Sequence, residues 1–125
     1  MNAFKKILAS FVIATLSSSA FAVANPTYED VKTAIDNTLA KVEEAITALN
    51  NGSDNEAVAK LVSDARQTQK DIANNVLDVK RNRASGVLNQ ARAALKDNNL
   101  QAAKESLTDA ANKYKEIQQI YASTH

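Results

Sequence analysis

YEDVKTAIDNTLAKVEEAITALNNGSDNEAVAKLVSDA, residues 28–65, places apolar side chains at Tyr28, Val31, Ile35, Leu39, Val42, Ile46 and Leu49, breaks, and resumes at Val58, Leu61, Val62 and Ala65. Steps of three and four residues return a side chain to one face of an α-helix, so the stretch reads as two helices joined by a turn. Thr27 and Asp30 form an approximate capping box at the first start, with Pro26 suited to a first turn. Asn50-Asn51-Gly52 stops the first helix, because Asn and Gly tolerate the left-handed conformation at a helix end. Ser53-Asp54-Asn55-Glu56 fits the S-x-x-E box and opens the second helix, whose stripe continues to Ile72.

The same pattern follows downstream. Leu77, Ala84, Leu88, Ala91 and Leu95 make a third stripe, and Asp97-Asn98-Asn99 is a turn. A last helix runs from Asn99 or Leu100 to Tyr121, with Ala103, Leu107, Ala110, Tyr114, Ile117 and Tyr121 on one face. The turn between the second and third helices falls either at Asn74-Asn75 or within Asn82-Arg83-Ala84-Ser85-Gly86. An internal comparison chooses between them. A shift of 46 pairs Val42 with Leu88, Ala45 with Ala91, Ala48 with Ala94 and Leu49 with Leu95. A shift of 45 pairs Val62 with Leu107, Ser63-Asp64-Ala65 with Thr108-Asp109-Ala110, and Lys70-Asp71-Ile72 with Lys115-Glu116-Ile117. The one-residue difference falls in the loop, where an insertion costs least. On this register the third helix starts near residue 75 and four helices of similar length result. One long helix through 54–97 is the rival. The expected fold is all-α: an antiparallel up-down four-helix bundle built from two similar helical hairpins over 25–125.

Residues 1–24 read as an export signal. Lys5 and Lys6 are the positive region, Ile7 to Leu16 is uncharged and apolar, and SSSAFAVA supplies small residues for cleavage after Ala22 or, preferred here, after Ala24. Ten apolar residues are too few to span a bilayer, which takes about 20. The expected location is periplasmic or secreted, with no membrane span in the mature chain.

The full chain holds 15 Lys and Arg against 14 Asp and Glu; loss of Lys5 and Lys6 leaves a slightly acidic product. No excess of cations points to nucleic acid. Phe4, Phe11, Phe21 and Met1 all lie in the signal, so the remainder has only Tyr28, Tyr114 and Tyr121 as aromatics. Its core must be Ala, Val, Leu and Ile. With no cysteine and His125 as the sole histidine, haem ligation, a ferritin-like di-metal site and a Ser/His/Asp nucleophile lack their residues, and no Gly-rich phosphate loop appears. The expectation is no enzyme, no cofactor and no catalytic or metal-site residue.

Three polar features remain. Lys80-Arg81-Asn82-Arg83 with Arg92 reads as a solvated face or turn, Asp78 adjoining the run, with a phosphate or anionic-lipid site as the alternative. Glu43, Glu44, Asp64 and Asp109 are oxygen donors, with Asp64 and Asp109 at equivalent places in the two halves; they read as solvent-facing carboxylates. The antiparallel arrangement gathers the three tyrosines near one end, either as a plug with hydroxyls reaching water or as a contact surface.

The export signal, the repeated Ala-rich hairpin, Ala-Lys-Glu-Ser-Leu-Thr-Asp-Ala at 103–110 and Val42-Glu43-Glu44-Ala45-Ile46 together resemble the small metal-binding protein family of periplasmic four-helix proteins. The likeness covers most of the chain beyond residue 24. It implies a four-helix fold, a periplasmic location, and binding of copper and other divalent metals through helix-face histidines. Lys41, Ala48 and Asp109 stand where those histidines align, and carboxylates alone suit hard cations weakly. The leading expectation is an exported, non-enzymatic interaction or stress-related binding protein with an unknown protein partner. The alternative is a periplasmic divalent-metal buffer that uses carboxylates, with weak divalent-cation binding.

Overall fold

The computed structural model describes residues 26–124. The expected signal, 1–24, lies outside the described residues, as do Asn25 and His125. Four helices are present: α1 Tyr28–Asn50, α2 Asn55–Gln69, α3 Asp78–Lys96 and α4 Leu100–Thr124, with a 3-10 turn at Asn75–Leu77 leading into α3. Around the bundle α1 packs on α2, α2 on α3, α3 on α4, and α4 closes against α1, so α1/α3 and α2/α4 are the diagonals. This is the antiparallel four-helix bundle expected from the stripes. No described helix is long and apolar enough to cross a membrane.

The core is small and mostly aliphatic. Val42, Ala45, Val58, Val62, Ala65, Ile72, Leu88, Ala91, Leu107, Ala110 and Ile117 are all fully buried. Both members of the pairs Val42/Leu88, Ala45/Ala91, Val62/Leu107, Ala65/Ala110 and Ile72/Ile117 are among them, whereas Leu49 is only partly buried and its counterpart Leu95 is buried. Thr38 is buried too, and its hydroxyl donates to the Ala34 carbonyl at 2.7 Å. That bond removes the cost of leaving a hydroxyl unpaired in the interior.

The two end turns explain the one-residue slip between the halves. After α1, Gly52 at φ +80 donates its N–H to the Leu49 carbonyl, and Ser53 donates to that of Ala48. After α3, Asn98 at φ 57 donates to Leu95, and Asn99 donates to Ala94. These are paired Schellman closures, in which Gly or Asn takes the left-handed position. In the first turn Ser53 finishes one helix and Asp54 starts the next, its carboxylate accepting from Ala57 N–H at 2.8 Å. In the second, Asn99 does both, its side chain accepting from Ala102 N–H. One loop is therefore a residue shorter.

Two expectations need correction. The cap of α2 is Asp54, not Ser53, because Ser53 N–H is already committed to closing α1. The capping box at Thr27 and Asp30 does form in both directions. The helices are not of similar length: they span 23, 15, 19 and 25 residues. α2 is short because residues 70–77 run as a tight connection in which Ile72 and Leu77 turn into the core. The internal comparison chose the right turn: the chain turns at 74–77 and 82–86 is helical. Gly86 sits inside α3, exposed, with open space where a Cβ would go.

Gly86→Ala should therefore stabilise the protein by about 0.5–1 kcal/mol, since it restricts the unfolded chain and meets nothing in the folded one. Thermal melts of the two proteins check this; a lower midpoint for the alanine variant would contradict it.

Candidate functional surface and a buried polar cluster

The start of α1, the 70–77 connection and the end of α4 meet at one end of the bundle. Here Tyr28 and Tyr121 stack, centroids 4.9 Å apart and planes 12° from parallel. The Tyr121 hydroxyl donates to the Tyr28 carbonyl at 3.2 Å, which pins the end of α4 to the first turn of α1. Tyr121 is buried, whereas Tyr28 is 39% exposed. Beside the pair lies a groove of about 280 Å³ between α1 and α4, bordered by Lys32, Asp36 and Gln118.

Val76 and Val79, on the 3-10 turn and first turn of α3, are 75% and 61% exposed at this same end. Of the four large apolar side chains exposed among the described residues, only Leu100 lies at the opposite end. An open trough of about 690 Å³ also runs between α2 and α3 toward that opposite end, bordered by Asn55, Glu56, Asn89, Arg92 and Lys96. Neither depression is a closed chamber with converging polar groups.

Asp36 ties the tyrosine end together. It accepts from Lys32 at 2.9 Å and from Gln118 at 2.9 Å. Partial burial alone would raise its carboxyl, but the hydrogen bonds from Lys32 and Gln118 and the Lys32 charge outweigh that and hold it below its ordinary 3.8. A carboxyl depressed in the folded state contributes stability above its unfolded value and loses it as pH falls through the folded one. Asp36→Asn should thus flatten the fall of the thermal midpoint below about pH 4. Melts between pH 2 and 6 test this, and an unchanged slope would exclude the role.

The carboxylates singled out from the sequence do not meet. Asp64 pairs with Lys60 and Asp109 with Lys113, each along its own helix, and α2 and α4 are diagonal. Glu44 pairs with Lys41, whereas Glu43 reaches across to Lys115. Among the described residues no three His, Cys, Asp or Glu side chains cluster.

The cation run splits. Lys80 bridges to Glu116 on α4 at 2.8 Å, and Asn82, Arg83 and Arg92 are exposed. Arg81 departs from the expected solvated face. It turns inward, donating to the Ile72 carbonyl at 3.4 Å and lying 3.6 Å from Asp78. Its side chain is only 22% exposed.

Arg81 belongs to a group the sequence reading missed. Arg66 Nε, Arg81 Nε, Gln69 Oε1 and the Tyr114 hydroxyl are all buried without a hydrogen-bond partner among the described residues. Tyr114 is fully buried, so it is not part of a plug with its hydroxyl in water, as one reading had it; only Tyr28 and Tyr121 make the end cap. The signal for this group was Gln69: it follows Val58, Val62 and Ala65 at helical spacing, so a polar side chain occupies a position on the buried stripe.

Comparison with family models, with curated proteins and with solved structures finds nothing that matches this chain.

Proposed function

We propose that this chain is an exported, non-enzymatic helical-bundle protein that binds a protein partner through the end bearing Tyr28, Val76 and Val79. The observation that carries the reading is the uneven distribution of exposed apolar side chains, three of the four large ones lying at that end. Val76 and Val79, 75% and 61% exposed and three residues apart, offer apolar area that a partner would gain by covering. Residues 1–24 supply the route to the periplasm or beyond. The absence of a catalytic constellation from the sequence supports a binding role, and the paired, dispersed carboxylates favour it over metal buffering.

The double variant Val76→Asp with Val79→Asp tests the surface directly. Both side chains are outside the core, so the thermal midpoint should move little. Size separation of extracts from the native cells should show the wild type in a complex larger than the monomer and the variant released from it. A wild type that elutes only as monomer, or a variant that stays in the complex, would overturn the reading. The alternative that follows from the family resemblance has its own check. Calorimetric titration of the untagged protein with copper(II) and zinc should give heats no larger than dilution, whereas binding tighter than about 1 μM would establish a metal role.

A further inference from the structure

We propose that Asn51 is a site of spontaneous deamidation, at which the turn joining α1 to α2 is converted to an isoaspartyl linkage. Among the described residues Asn51 is the one asparagine followed by glycine. Ring closure onto an asparagine side chain needs the next backbone nitrogen to reach Cγ, and a following residue without a Cβ hinders that approach least. The side chain is also free to react. Asn74, Asn98 and Asn99, in the other turns, each accept a hydrogen bond at the side-chain oxygen. Asn51 is exposed, and its side chain makes no hydrogen bond among the described residues.

The chemistry needs only water. The Gly52 nitrogen attacks Asn51 Cγ, the Gly52 N–H proton and the side-chain NH2 leave together as ammonia, and a five-membered succinimide remains. Water then opens the ring. Cleavage at Cγ gives aspartate, whereas cleavage at the main-chain carbonyl gives isoaspartate, whose backbone runs through Cβ and Cγ. The native turn opposes the first step, because Asn51 sits at ψ 3 and the Gly52 N–H donates to the Leu49 carbonyl. A helix end opens at little cost, so the reaction proceeds through the opened turn.

The two products differ in their consequences. Aspartate fits: Asp97, the counterpart of Asn51 at a shift of 46, takes φ −84 and ψ 3 where Asn51 takes −87 and 3. Isoaspartate adds a chain atom ahead of Gly52. That displaces the Gly52 and Ser53 N–H groups from the Leu49 and Ala48 carbonyls and undoes the closure of α1. The turn lies at the end opposite Tyr28, Val76 and Val79, so the change is separate from the proposed partner surface.

The test holds the whole protein at pH 8, folded and, to give the rate of the unprotected sequence, unfolded in guanidinium chloride. An isoaspartyl methyltransferase with a labelled methyl donor tags the product, and digestion with mass spectrometry locates it. The folded wild type should gain label in the peptide containing Asn51 at a rate within about a hundredfold of the unfolded one. Asn51→Gln should gain none there. The isoaspartyl fraction should melt about 5 °C or more below fresh protein, and Asn51→Asp no more than about 3 °C below it. Folded protein without label at Asn51, once the unfolded sample is converted, would overturn the proposal. So would equal labelling of Asn51→Gln, or an isoaspartyl fraction that melts with the fresh protein.

Discussion

Tyr114→Ala should cost about 3–5 kcal/mol, a large part of the 5–15 kcal/mol that holds a domain of this size together. Tyr114 is the largest fully buried side chain, and every other fully buried side chain among the described residues is smaller, so none fills the space it leaves. Tyr114→Phe separates ring from hydroxyl. It should change stability by no more than about 1 kcal/mol, because the hydroxyl it removes has no partner among the described residues. Alkali supplies a second handle. Burial pushes the Tyr114 hydroxyl far above its ordinary value of 10.0. A group whose folded value is raised contributes stability that is complete below the unfolded value and is lost as pH rises. Above about pH 10 that loss runs at up to about 1.4 kcal/mol per pH unit, and Tyr114→Phe should reduce the slope. Urea titrations at pH 7 and across pH 9–11 test both statements. A mild Tyr114→Ala variant would show that the core collapses around the gap, contrary to the rigid packing argued here.

Ala110→Leu should lose about 1–3 kcal/mol through overpacking. Ala45, Ala65, Ala91, Ala103 and Ala110 are all completely buried, so alanine sets how closely these helices approach. Ala110 is fully buried, so three added carbons there have to displace its neighbours. Ala93→Leu, on the exposed side of α3, is the control and should lie within about 0.5 kcal/mol of the wild type. The thermal midpoint should drop by roughly 5–15 °C for the first and hardly move for the second. Equal midpoints for Ala110→Leu and the wild type would mean that the interior is loosely packed.

The fold was legible because its information is local. Stripes at three- and four-residue spacing, Gly52 and Asn98 in left-handed turns and the Thr27 box each act within a few residues of themselves. Even the slip from 46 to 45 had a local cause, Asn99 closing α3 and capping α4 at once. What escaped was decided across helices. Ser53 looked like a cap, but its N–H was needed by α1. Arg81 sits in a run of charges, and its direction depends on the Ile72 carbonyl beyond the connection. Asp64 and Asp109 looked symmetric, but they belong to diagonal helices and bind their own lysines. Tyr114 and Tyr121 are seven residues apart on one stripe; only the second reaches the end, to stack on Tyr28.

The tyrosine and valine end is the part of the account on which the function rests. Site-specific photo-cross-linking in the native cells tests it most directly, with the reactive side chain placed at Val76 and, for comparison, at Asn112 on an exposed face of α4. The account predicts a discrete adduct with another protein from position 76 and none from 112. No adduct at 76, or the same adducts from both positions, would contradict it.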